Sequence, residues 1–303
     1  MAFPEDSYSP VPGKFCYYIS MFKKQSRYSL LLFAAAAIWG FAFTAQRIGA
    51  DYVDPLMFLA CRSWLAFIVI FLFRKIRRPA AEDWKTLCQA GLVCGSALFI
   101  ASILQQIAIP MTTTARAGFL TAMYVVIVPL LTFFTGSRIS WRTLLAVVLS
   151  VAGLYLLCMN GSLGFGKGEL LLILGAFFFA LQIIAVNHYI RLVDGVSLSM
   201  AQVFVSAALS TVILFASGRF HTEGLREALP SLLYAGILSG GVAYTFQTLG
   251  QKNVHPTLAS IIMCLESVFS ALGGWLILHQ AMNLKELCGA GLMFIAVLLA
   301  SLS

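Results

Sequence analysis

Apolar residues in this chain neither alternate with polar ones nor recur as a narrow stripe. They run on for roughly 18 to 22 residues between short clusters of charge, proline and glycine. Bounded in this way, the runs place spans near 30–47, 56–73, 85–106, 115–135 and 142–158, and again near 168–189, 198–216, 229–250, 257–279 and 285–302. At about 1.5 Å of rise per residue each can cross a hydrocarbon core of about 30 Å, given modest tilt and snorkelling at the ends. A membrane barrel would need alternation over about ten residues, which is missing. The pattern predicts an all-α integral membrane protein with ten transmembrane helices.

Composition agrees. Of the 303 residues, 60% are apolar and 11% charged, against about 25% charged in a soluble domain, so a water-facing particle is excluded. The net charge of +8 needs no nucleic acid to explain it, because the basic residues flank the apolar runs. Thirteen Lys and Arg fall on one side of the spans, mainly in segment 1–27 and the stretch Arg74 to Lys85, and six on the other, with Arg62 inside a span. That bias predicts a cell inner (plasma) membrane protein with both termini cytoplasmic and residues 1–27 as a cytoplasmic tail. Glu5, Asp6 and three prolines precede the first basic residues, so no cleavable signal is expected. The seven cysteines form no CxxC pair and the four histidines have no metal-ligand spacing, so neither metal nor cofactor is expected.

The chain also repeats itself. At an offset of 140 residues Asp54 meets Asp194 and Arg62 meets Gln202; at 145, Gly91, Gly95, Phe99 and Gln106 meet Gly236, Gly240, Tyr244 and Gln251. Trp141-Arg142-Thr143-Leu144 then faces Leu284-Lys285-Glu286-Leu287. The units are 28–158 and 168–302, each of five spans. An odd number makes the second enter the membrane opposite to the first, which gives two inverted five-helix repeats with a binding site expected where they meet near the midplane.

Several stretches are similar to the EamA branch of the drug/metabolite transporter superfamily. They are Ala37-Ile38-Trp39-Gly40, Arg62, Thr114-Ala115-Arg116-Ala117-Gly118-Phe119-Leu120, and above all Leu265-Glu266-Ser267-Val268-Phe269-Ser270-Ala271-Leu272, close to that family's Leu-Glu-Pro-Val-Phe-Ala-Ala-Leu. The likeness runs from about residue 28 to 302. Ser267 stands in place of the family's proline, leaving the kink expected there without its usual cause, and His279-Gln280 stands where the family has Gly-Glu. The resemblance implies a transporter and leaves the substrate open among amino acids, nucleotide-type metabolites and drugs.

Candidate site residues follow from depth and type. Glu266 lies about ten residues into its span, so an ionised carboxylate there must be protonated, paired or facing a wet cavity. Proton coupling and a purely packing role are both open. Arg62 and Arg116 lie roughly 9 Å and less than 3 Å below the external boundary; a guanidinium suits a carboxylate or phosphate, while an Arg as near a span end as Arg116 also snorkels. The eighth span sets Gly236, Gly240, Tyr244, Gln247 and Gln251 on one face, and its counterpart sets Gly91, Gly95, Phe99, Ser102 and Gln106. The glycines suit close helix packing, while Tyr244, Gln247, Ser102 and Gln106 are candidates to line a cavity. Trp39, Phe43 and Gln46 form a stripe in the first span, with Gln182 and Asn187 in the sixth.

No phosphate-binding loop occurs, and Gly161-Ser162-Leu163-Gly164 is a serine elbow only superficially. The expectation is a secondary transporter, most simply an exporter, carrying a small polar or amphipathic metabolite by alternating access, with proton coupling resting on Glu266. An uptake carrier or exchanger for S-adenosylmethionine or a nucleotide-type substrate is the alternative within that class. An intramembrane enzyme is the alternative outside it, although the five aspartates all lie outside the spans. The expected partners are a small-molecule substrate and the lipid bilayer, with a homodimer left open.

Overall fold

The computed structural model describes residues 12–79, 82–134, 136, 140–158, 166–279 and 283–301; Gly161-Ser162-Leu163-Gly164, Gln280 and residues 1–11 lie outside these. The described residues are helical, with no strand among them. In chain order the helices are α1 (Pro12–Gly49), α2 (Pro55–Arg77), α3 (Trp84–Ala108), α4 (Thr114–Ala122), α5 (Tyr124–Phe134), α6 (Trp141–Cys158), α7 (Lys167–Tyr189) and α8 (Gly195–Ala216). Then come α9 (Leu229–Leu233), a π-helical stretch Tyr234–Ala243, α10 (Tyr244–Gln251), α11 (Pro256–Met263), α12 (Glu266–Leu278) and α13 (Leu284–Ser301). With α4–α5, α9–α10 and α11–α12 each taken as one path, eight helices are long and apolar enough to cross a membrane. The two shorter ones, α6 and α13, end the two halves and pack on each other.

Local chemistry explains the helix starts. Asp54 and Asp194 cap α2 and α8, their carboxylates accepting from Leu56 N at 2.8 Å and from Val196 and Ser197 N at 2.9 and 3.2 Å. Pro55 supplies the fixed φ that suits a first helical position.

Two of the expected spans are broken at equivalent points, at Met123 between α4 and α5 and at Cys264–Leu265 between α11 and α12. In α5, Pro129 lacks the N–H that would bond back to Val125. In the second break no proline is present, yet the bend persists. There Ser260 and Ser267 hydroxyls and the Cys264 thiol donate to the carbonyls of Thr257, Cys264 and Ile261, at 2.8, 2.8 and 3.0 Å. Side-chain bonds of this kind often accompany bent helices, and Ser267 makes one where the family's proline is expected.

Packing follows the repeat. α2 lies on α8 and α6 on α13, each helix on its own counterpart, while α1 packs on α12 as α7 packs on α4 and α5. The glycines act as spacers in this packing. A Cβ on Gly95 would stand 2.6 Å from Val205 Cβ on α8, and one on Gly240 the same distance from Ala66 Cβ on α2.

Candidate functional site

The helix breaks and the π-helical stretch surround one central cavity. α1 contributes Trp39, Phe43 and Gln46, at spacings of 4 and 3 that put them on one face. Arg62 comes from α2, Gln105 from α3, and Thr121 and Tyr124 from either side of the α4–α5 break. The second half brings Phe179, Gln182 and Ile183 of α7, Ser239 of the π-helical stretch, Tyr244 and Gln247 of α10, Met263 of α11, and Glu266 at the first position of α12. The free space is about 40 Å³.

An arginine and a glutamate share this space. Arg62 is 7% exposed and donates to Gln46 Oε1 at 3.2 Å. Glu266 is 5% exposed, and its Oε1 has no hydrogen-bond partner among the described residues. Neither belongs to any ion pair found among those residues. The carboxyl of Glu266 sits at the N-terminal end of α12, where the helix dipole favours negative charge, and Tyr124 stands beside it at the N-terminal end of α5. A charged group at membrane depth costs about 2.5–3.5 kcal/mol on the insertion scale, so two ionisable groups lining one cavity make it the candidate site.

The remaining polar groups bridge helices. Gln182 Nε2 donates to Gln202 Oε1 at 2.9 Å and to Gln247 Oε1 at 3.2 Å, and Gln247 Nε2 donates back to Gln182 Oε1 at 3.1 Å. This ties α7 to both α8 and α10. Gln105 Nε2 donates to Thr121 Oγ1 at 3.2 Å across α3 and α4. The indole N–H of Trp39 donates to Ser239 O at 3.2 Å, a carbonyl of the π-helical stretch, and the Trp39 ring lies 5.0 Å from that of Tyr244.

Of the residues singled out from sequence, Trp39, Phe43, Gln46, Arg62, Gln182, Tyr244, Gln247 and Glu266 come together around the cavity. Ser102 lines a smaller pocket of about 20 Å³ behind Arg62 and Tyr244, which border both spaces. Gln106 is fully buried outside both pockets, its amide atoms unpartnered among the described residues. Arg116 stands in the first turn of α4, 3.5 Å from Glu169 on α7 and away from the cavity. Gln105, Thr121 and Tyr124 were not singled out. Tyr124 had a signal: it lies 142 residues before Glu266, the offset of the repeat's last spans.

Comparisons with known proteins agree with this geometry. The profile of the EamA-like transporter family matches twice, over residues 26–159 and 166–302. An uncharacterized transporter of Archaeoglobus fulgidus is 29% identical over 269 residues, covering 88% of this chain and 83% of that protein. An uncharacterized transporter of Bacillus subtilis is 20% identical over 269 residues, covering 86% and 91%. A crystal structure at 18% identity superposes with a TM-score of 0.78, covering 91% of this chain and 98% of its own, and so shares the fold.

Proposed function

From the premise that the chain belongs to the EamA-like transporter family, within the drug/metabolite transporter superfamily, we propose that it is a secondary transporter working by alternating access around the central cavity. In this reading it has ten membrane spans, α6 and α13 being the two shorter ones, arranged as inverted repeats 28–158 and 168–302, with both termini cytoplasmic in the inner membrane. The observation that carries the proposal is the pairing of Arg62 and Glu266 around one cavity without an ion pair between them. An arginine fork suits a carboxylate and a buried carboxylate suits a cation, so the site favours a small metabolite that carries both charges, such as an amino acid. Aromatic faces of Trp39, Phe43 and Tyr244 give its apolar part a surface.

Broken helices at a midplane site are the usual means by which inverted-repeat carriers expose backbone and dipole ends to substrate. The α4–α5 and α11–α12 breaks, with Tyr124 and Glu266 at the two new N-termini, support that assignment here. Glu266 is proposed as the group that exchanges a proton during the cycle, with export as the direction. An intramembrane enzyme gains no support from the cavity, among whose described lining residues there is no His, Cys or Asp.

The test compares wild type with Glu266→Gln in liposomes, following labelled amino acids and nucleotides under an imposed pH gradient. Accumulation that follows the gradient and is lost in a folded Glu266→Gln protein is expected. Exchange that ignores the gradient and survives in the variant makes Glu266 a packing residue and the protein an exchanger.

A further inference from the structure

The two capping aspartates do more than start helices. Each uses one carboxylate oxygen for its cap and points the other at an arginine from the opposite repeat. Asp194 Oδ2 caps α8 while Oδ1 lies 3.6 Å from Arg77 Nη1, in the last turn of α2. Asp54 Oδ1 caps α2 while Oδ2 lies 3.5 Å from Arg219 Nη1, just beyond α8. The aspartates are 140 residues apart and the arginines 142, so the two pairs are one contact produced twice by the repeat. They lie at opposite ends of the packed α2–α8 pair, about 34 Å apart along the 23 residues of α2.

The two copies are unequal. At the Arg77 end, Arg74 donates to Ser197 Oγ at 2.7 Å and lies 3.3 Å from Glu82, and Glu82 Oε1 accepts from Asp194 N at 2.5 Å. The Glu82 side chain is only 10% exposed, so four charged side chains form one partly desolvated network. At the other end, the Arg219 side chain is 57% exposed, and Asp54 is the one ion-pair partner found for it among the described residues. Exposed single pairs are weak, whereas networks hold better.

We propose that these pairs are latches joining the repeats at the two faces, that the cavity opens when one of them releases, and that the weaker Arg219–Asp54 latch yields first. The empty transporter then rests open toward the Arg219 face, which is the external face in the orientation proposed above. This rests on the alternating-access reading: α2 and α8 belong to different repeats, so rocking one repeat against the other changes the distance across both pairs.

The test uses the full chain in proteoliposomes, with its native cysteines replaced and spin labels at two exposed pairs. Tyr52→Cys with Phe220→Cys reports on the Arg219 face, and Ile76→Cys with Leu192→Cys on the Arg77 face. Without added substrate, the long-distance population is expected at Tyr52–Phe220 and not at Ile76–Leu192. Arg77→Gln is expected to raise the open-to-closed ratio at Ile76–Leu192 by about two- to five-fold or more, and Arg219→Gln to do so at Tyr52–Phe220 by about two- to five-fold. Asp194→Asn and Asp54→Asn, which keep an effective cap while removing the charge, must reproduce these shifts. Open ratios unchanged by all four variants, or a resting state open at the Arg77 face, overturn the latches while leaving alternating access standing. Two faces that never open, with substrate or without it, overturn both.

Discussion

Gly40 offers the most direct check on how the cavity wall is set. It lies where α1 meets the start of α12, and a Cβ there would stand 2.2 Å from Phe269 Cβ, 2.6 Å from the Glu266 carbonyl oxygen and 2.8 Å from the Phe269 carbonyl carbon. None of these atoms can turn away by a rotamer change. Ordinary contact between carbons is about 3.5 Å, so Gly40→Ala must part the two helices by roughly 1.3 Å. Moving α1 also strains its ties to the π-helical stretch, from Trp39 Nε1 to Ser239 O at 3.2 Å and from the Tyr234 hydroxyl to Ile38 O at 3.1 Å. Overpacking of this kind costs about 1–3 kcal/mol and a loosened hydrogen bond about 1 kcal/mol, while helix propensity returns up to about 1 kcal/mol, so a loss of about 1–3 kcal/mol is expected. Because Trp39 and Glu266 border the cavity from these two helices, transport should fall with stability. Thermal unfolding in detergent and uptake in liposomes measure the two effects. Gly291→Ala on α13 is the control: nothing lies within 4 Å of its added Cβ, and a gain of up to about 1 kcal/mol is expected from helix propensity. A Gly40→Ala protein that melts and transports like wild type would refute the reasoning, since the α1–α12 contact would then be soft.

Three further outcomes follow from the same coordinates. Gln182→Met and Gln247→Met should each destabilise by about 1–2 kcal/mol, and the double variant by less than their sum, with a coupling of about 0.6–1.7 kcal/mol; zero coupling in that cycle means that cavity water already replaces the reciprocal amide bonds. His279 holds φ 54° at the end of α12, a left-handed conformation, where Gly136 holds φ 87° at the equivalent end of α5. A left-handed residue costs about 1–2 kcal/mol, and glycine's extra entropy returns about 0.5–1, so His279→Gly should stabilise by about 0.5–1 kcal/mol and Gly136→Ala should destabilise; calorimetry showing the reverse signs defeats the assignment. His255 caps α11 by accepting from Thr257 N at 3.3 Å, and burial, then the nearby Arg191 charge, holds its pKa below the usual 6.5. The unfolded chain therefore takes up the proton first, so this contribution is complete above about pH 6.5 and is lost as pH falls below it. Arg191→Gln removes one cause and should lessen the acid-induced drop in melting temperature; a steeper drop contradicts the sign.

How much of this was legible depends on what each residue's environment adds to its type. The spans, the repeat and the family likeness are carried by long apolar runs and fixed offsets, which tertiary structure cannot hide. The α11–α12 break was harder to read, because its expected signal was a proline, and what stands there instead is a set of side-chain bonds from Ser260, Cys264 and Ser267 to the backbone. Gln105 and Gln106 differ by about 100° of helix rotation. Repeat alignment favoured Gln106 through Gln251, whereas the packing of α3 turns Gln105 to the cavity. Arg116 was at the right depth, but Glu169, the side chain it pairs with, lies 53 residues away on another helix.

The repeat gives the site its shape, and the departures from it give the site its polarity. Two identical halves would place like groups on both sides of the axis and would have no reason to orient a substrate. Here Arg62 faces the repeat as Gln202, and Glu266 as Tyr124, so each charge occurs once and its counterpart is a neutral group able to hydrogen-bond. Gln202 joins the amide network through Gln182, while Tyr124 stands beside Glu266. The same inequality recurs at the faces, where one aspartate–arginine pair is embedded in a network and its copy has no further ion pair among the described residues. In the proposed reading, an unsymmetrical cavity fixes which end of a substrate binds where, and unequal latches fix which face opens first. Which face the empty protein presents is, in that reading, written at a small set of positions where the two halves no longer match.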